Sequence, residues 1–322
     1  MTSTRKFVHI DWDIPSNYSK HLGDAPGENE FETIVGLCVV CSAALGIFAN
    51  IAVMLLSFGH VKGDFRHFVA NLAFVDILCG FIFAIMGYIN MNDEHRIPSH
   101  ILYYLALAFY GSFGVMICAL VPISISRVLA LTRPSLYTTL FTGRRSMFFC
   151  LISDMLPVSL LYLICLVGPD LARLLFYMFA TITVAAYIVA FATNYIVFRI
   201  VARHIRVVQN LRDQARLLET RQIAIATLGQ AFIPLVCQVP AFLTLSSVLL
   251  LSEPITNGHV SSIIQLWLAN SPLLDAIITI LVIKQYRKEC LSCASAVGKR
   301  MWKSRKTTII YTDEKEAFET RL

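Results

Sequence analysis

Long apolar runs recur along this chain, and they constrain its fold more than any other feature. They cover Thr33–Phe58, Phe65–Tyr88, His100–Leu131, Ser146–Val167, Leu171–Ile200, Gln222–Leu251 and Val260–Ile283. A bilayer core is crossed by roughly 20 helical residues, and a helix is the open-ended structure that satisfies its own backbone in lipid. Seven such runs predict an all-α membrane protein, a bundle of seven helices. Composition agrees: 57% of residues are hydrophobic and only 15% are charged, which excludes an ordinary soluble domain. The fourth and fifth runs are separated only by Gly168-Pro169-Asp170 and Arg173.

Basic residues set the expected orientation. With the amino terminus outside, 22 of the 27 lysines and arginines fall on the inner side. The remaining five are Arg5, Lys6, Lys20, Arg96 and Arg173. Residues 1–32 then form an extracellular segment without a cleavable signal, and 33–284 the membrane bundle. Residues 285–305 read as a short basic helix on the inner membrane surface, with Tyr286 and Leu291 dipping toward lipid. Residues 306–322 read as a disordered cytoplasmic tail. The sequon Asn17-Tyr18-Ser19 falls outside, where it can be glycosylated. Seven of the nine cysteines lie in the apolar runs, so no outer disulfide is expected. Cys290 and Cys293 follow the last run beside basic residues and are either palmitoylated or free thiols.

The sequence carries no phosphate-cradling glycine loop and no metal-ligand histidine pair at helical spacing, so neither an enzyme nor a cofactor is expected. Nor is a nucleic-acid partner. Polar residues inside the spans are the informative ones, because burying them costs several kcal/mol unless they are paired (~2–7 for an amide or hydroxyl). Asn50 lies in the first span, Asp76 in the second and Asp275 in the seventh, three residues after Pro272. Packed together, they form one hydrogen-bonded cluster holding a shared proton or a sodium ion at Asp76; packed apart, the carboxylates satisfy backbone groups at helix kinks. Arg127, near the inner end of the third span, either snorkels to headgroups or serves as a latch or partner contact. Pro234 and Pro240 each free a carbonyl of the sixth span and allow it to bend.

These residues resemble a rhodopsin-like G-protein-coupled receptor of the nematode serpentine chemoreceptor branch, the Str superfamily with its Srd, Srh, Sri and Str groups. Asn50, Asp76 and Arg127 match the polar positions of helices one, two and three. Gln230, Ile233-Pro234 and Pro240 match helix six; Pro272-Leu273, Asp275 and Lys284-Gln-Tyr286-Arg287 match helix seven and its end. The resemblance covers about residues 33–290. It departs from the wider class where Ser126 replaces the acidic residue before the arginine, which puts the usual inner ionic latch in doubt. Gln238 replaces the common tryptophan, and Asp275-Ala-Ile-Ile-Thr279 replaces the asparagine-proline-x-x-tyrosine motif.

The resemblance implies a sensory chemoreceptor in the plasma membrane, in the ciliary membrane of sensory neurons. It implies a small-molecule ligand and a heterotrimeric G protein as partners, with Arg127, Arg203 and Arg206 facing the G protein. The expected pocket gathers Phe109, Tyr110, Phe113 and Ile117 with Tyr177, Tyr187, Gln238, Gln265 and Trp267. No carboxylate lies on the outer half of the third span, so a small, mostly neutral ligand fits better than an amine. The same aromatics also read as packing and interfacial-belt residues. The competing functions are a ligand-gated channel and a proton-coupled carrier working through Asp76 and Asp275. The absence of an internal repeat speaks against an inverted-repeat carrier.

Overall fold

The computed structural model describes residues 28–61, 63, 65–91, 98–141, 143–204, scattered positions from 218 to 243, 258–293 and 295. Asn17, Arg206, Gln230, Pro234, Gln238 and the tail after 305 lie outside the described residues. The protein is helical throughout what is described: α1 (Glu28–Gly59), α2 (Phe65–Met91), α3 (Ser99–Thr132), α4 (Pro134–Leu140), α5 (Arg144–Leu166), α6 (Pro169–His204), α7 (Gly258–Ala269) and α8 (Ser271–Val282). A further helix, α9, covers 284–293.

Among the described residues, six helical stretches are long and apolar enough to cross a membrane, α7 and α8 counting together as Ile263–Val282. All six match expected runs within a few residues. The remaining expected run is the sixth, of which only scattered positions are described. Those positions are helical, and their burial follows one face. Ala226, Ile233 and Cys237 are buried, whereas Ile225, Phe232, Val236 and Leu243 are exposed. Both sets step by seven and four residues, the repeat of a helix with one side in the bundle. Ala226 joins the core around Val53 and Ile283, while Phe242 meets Phe113 near the other end.

Helices pack where the sequence supplies small residues. A Cβ on Gly36 would lie 2.8 Å from the carbonyl oxygen of Gly87, and one on Gly87 2.9 Å from that of Gly36. The α1 and α2 backbones therefore touch, as membrane helices do where neither side chain intervenes. Gly114 makes the same kind of room in α3, for Phe179 and Thr183 of α6. Away from these seams, large apolar side chains point outward, among them Phe48, Leu55, Leu166 and Ile188. In water that exposure would be a liability; in lipid it is the solvated state.

One core lies toward each end. The end formed by the close of α1, the start of α2 and the close of α3 and α8 gathers Val53, Phe65, Phe68, Ile123, Phe141, Ile283 and Tyr286. Arg66, Arg127, Arg133, Arg145, Arg199, Arg203, Lys284, Arg287 and Lys288 cluster toward this basic end, while Arg173 stands at the opposite one. The short α4 caps the basic end. Its Tyr137 stacks on Phe141, which is buried between Phe68 and Phe149.

Candidate functional site

The bundle's interior is crossed by polar contacts at several helix seams. Asn50 of α1 donates to the carbonyl of Pro272 at 2.9 Å and to Gly46 of its own helix at 3.0 Å. Ser42, two turns earlier, donates to the Asn270 side chain at 2.7 Å and reaches the Ala269 carbonyl at 3.4 Å. Both contacts fall where the seventh expected span breaks. Pro272 has no N–H to give the preceding turn, α7 stops at Ala269 and α8 starts at Ser271. The break is thus held from α1 by side chains that donate to Asn270 and to carbonyls on both sides of it.

Asp76 and Asp275 flank this point. Asp76 is 1% exposed and Asp275 4%, on the packed helices α2 and α8. Neither oxygen of Asp76 has a hydrogen-bond partner among the described residues. Thr279 donates to the backbone carbonyl of Asp275 at 2.9 Å. The three expected residues are therefore gathered at one level of the bundle, but Asn50 bonds the α8 backbone rather than a carboxylate. An orphaned carboxylate in a dry interior binds a proton or a cation. The donor set at Asp76 fits sodium in that respect, although no group of three or more metal-ligating side chains is found among the described residues.

Two further polar seams carry no signal in the sequence. Asp154 of α5, 5% exposed, accepts from the Asn71 amide of α2 at 2.8 Å. Asn194 of α6, fully buried, donates to the Ser124 hydroxyl of α3 at 2.8 Å. Asn71, Asp154 and Asn194 sit in segments apolar on every side, so periodicity gives no hint of which way each faces.

Toward the opposite end, Asn90 of α2 donates to the Gln265 side-chain carbonyl, and Gln265 reaches the Tyr110 hydroxyl at 3.5 Å. Tyr110 and Gln265 of the expected pocket are thus brought together, and Asn90 joins them. Phe109, Phe113 and Ile117 are packed into the core instead, Phe109 edge-on to Phe83 with centroids 5.0 Å apart. Tyr187 is half-buried and stacks on Phe191 of its own helix. Trp267 departs from expectation: it lies on the outside of the bundle, 48% exposed, its indole N–H on the Val236 carbonyl at 3.0 Å. Tyr177, 55% exposed, also faces outward. Amphipathic aromatics with one polar atom suit that boundary position.

The basic end holds the expected coupling residues. Ser126 is buried and donates back to the Ile123 carbonyl at 2.7 Å, so it offers Arg127 no counter-charge. The Arg127 guanidinium lies over the Phe65 ring, 5.1 Å from its centre. Arg203 is exposed. Cys290 and Cys293 are half-buried against the basic-end core, and all nine cysteines are unpaired. The expectation for Tyr286 is reversed. Rather than dipping toward lipid, it is fully buried, its hydroxyl 2.6 Å from that of Ser57. A phenol with a hydrogen-bond partner inside the bundle is better placed there than in hydrocarbon. Leu291 faces outward as expected, 66% exposed. No protein-family model matches the sequence, and no curated protein is significantly similar to it.

Proposed function

We propose that the chain is a seven-helix, rhodopsin-like chemoreceptor of the nematode serpentine kind, which binds a small neutral molecule and activates a heterotrimeric G protein. The observation that carries this reading is the joint placement of Asn50, Asp76, Pro272 and Asp275 around one helix break. An unsatisfied carboxylate beside a bend is a costly contact that a second packing of the bundle would relieve. A ligand that contacts the two packings differently shifts their populations. Asn90, Tyr110 and Gln265, amides and a phenol toward the opposite end, suit a neutral hydrogen-bonding ligand, and Arg127 and Arg203 at the basic end suit a cytoplasmic partner. The sixth run supplies the seventh crossing, the amino terminus lies outside, and the protein resides in the plasma membrane of the ciliary endings of sensory neurons.

The test is expression in a sensory cell exposed to a panel of small volatiles and metabolites. Signalling that requires both the G protein and Arg127 supports the reading. An evoked current that persists without any G protein overturns it in favour of a channel.

The unsatisfied Asp76 also favours a second reading, a proton-coupled carrier. That reading requires substrate flux into vesicles holding the purified chain, lost in Asp76→Asn.

A further inference from the structure

Four side chains from four elements meet in line at the basic end. Arg127 of α3 lies over the face of Phe65, the first residue of α2. Phe65 meets the Tyr286 ring of α9 edge-on, with centroids 6.3 Å apart and planes at 66°. Tyr286 ends on Ser57 of α1. The Ser57 hydroxyl already donates to the Val53 carbonyl at 2.7 Å. Its single proton is therefore spent, and Tyr286 is the donor between the two hydroxyls. Phe65, Tyr286 and Ser57 are 6%, 0% and 0% exposed, so each ring is fixed by its neighbours.

We propose that Phe65 is a positioning residue for Arg127: its ring face holds the guanidinium in the resting packing, and α9 holds Phe65 in place through Tyr286 and Ser57. Ser126 carries no charge with which to form the ionic latch, and the Phe65 face is in contact with the guanidinium. A cation over a partly desolvated ring gains a factor of about five to thirty in population, enough to bias a resting state and weak enough to release.

The chain geometry says what releases it. α8 ends at Val282 and is followed by Ile283, whose ψ of 108° is extended, and α9 begins at the next residue with the Arg287 amide on the Ile283 carbonyl. A single residue thus joins α9 to the helix that carries Pro272 and Asp275. A displacement of α8 carries Tyr286 away from Ser57, uncovers the edge of Phe65 and frees Arg127. What Arg127 then contacts rests on the receptor reading; the relay itself does not.

Two measurements on the full chain in phosphatidylcholine–phosphatidylserine nanodiscs separate these claims. Amide hydrogen exchange of residues 284–293 reads the relay. Phe65→Leu, Tyr286→Phe and Ser57→Ala each speed it roughly three- to tenfold, whereas Phe65→Tyr, which keeps the ring, leaves it unchanged. Exchange in Phe65→Leu and Ser57→Ala equal to that of the wild type overturns the relay. Ligand-free nucleotide exchange on an added heterotrimeric G protein reads the release of Arg127. It rises severalfold in Phe65→Leu and returns to the starting level in Phe65→Leu/Arg127→Gln. A rise that survives in that double variant overturns the role of Arg127. Faster hydrogen exchange with no stimulated nucleotide exchange in any variant leaves the relay standing and removes the receptor reading.

Discussion

The unusual residue is Asp76, a carboxylate 1% exposed with no hydrogen bond to either oxygen among the described residues. Leaving such a group unsatisfied costs more than about 1–3 kcal/mol, the range for a neutral group. Asp76→Asn removes the charge at nearly constant volume, so the variant is expected to melt several degrees above the wild type in detergent. Repeating the melt in sodium chloride and in choline chloride identifies the occupant. A sodium-dependent gain that disappears in Asp76→Asn assigns a cation, and the same response in both proteins assigns a proton. Asn50 behaves in the opposite way. Its amide bridges α1 to the Pro272 carbonyl, and interhelical hydrogen bonds in membranes average about 0.6 kcal/mol, up to about 1.7. Asn50→Leu is expected to lower the melting temperature by a few degrees; an unchanged melt would show that the break in the seventh span is held elsewhere. Asn50, Asp76 and Asp275 were legible in the sequence because polar residues stand out in apolar runs. Asn71 and Asp154 are polar residues in apolar runs as well, but nothing in the sequence pairs them. A helix apolar all round carries no record of which side faces a neighbour, and only packing decides it.

Among the elements, α9 differs most from its sequence. A basic segment after the last span suggests a helix floating on headgroups. In the structure Tyr286 anchors it to α1 and Phe65. Charge pattern alone cannot separate these, since an aromatic residue suits the interface and an internal seam equally. Burial pushes the Tyr286 phenol up to about 12, against an ordinary value near 10. The folded state therefore keeps a proton that the free side chain releases. Docking of α9 is complete below about pH 10 and weakens as pH climbs toward 12. Hydrogen exchange across 284–293 should accelerate over that window in the wild type, beyond the general rise with hydroxide. In Tyr286→Phe it should follow the hydroxide dependence alone. A second lesson concerns the seventh span. Pro272 and Asp275 in the sequence imply a bend, but the structure places the interruption at Asn270, ahead of the proline, where Ser42 meets the broken turn. A proline marks that a helix must yield nearby, whereas the neighbouring helix determines where the yielding is supported.

At the scale of the whole molecule, the membrane class was written in composition, since few charges and repeated apolar runs leave no soluble alternative. Burial within the bundle was less legible, because lipid and protein interior select the same side chains. The third span shows this: Phe109 and Ile117 read both as pocket walls and as packing residues, and the structure packs both into the core. The direction of insertion, by contrast, is a charge question. Arg66, Arg127, Arg133, Arg145, Arg199 and Arg203 gather toward one end of the folded bundle and Arg173 lies at the other, so the asymmetry counted along the chain is also an asymmetry in space. A bundle inserted with that end in the cytoplasm leaves the amino-terminal segment outside, together with Asn17. Expressed in a secretory system, the wild type should gain mass that a glycosidase removes, and Asn17→Gln should not. A sequon newly placed in the tail, at residues 315–317, should remain unmodified. Modification of that tail site with Asn17 left bare would invert the protein in its membrane. It would turn the basic end away from any cytoplasmic G protein and favour the channel over the receptor.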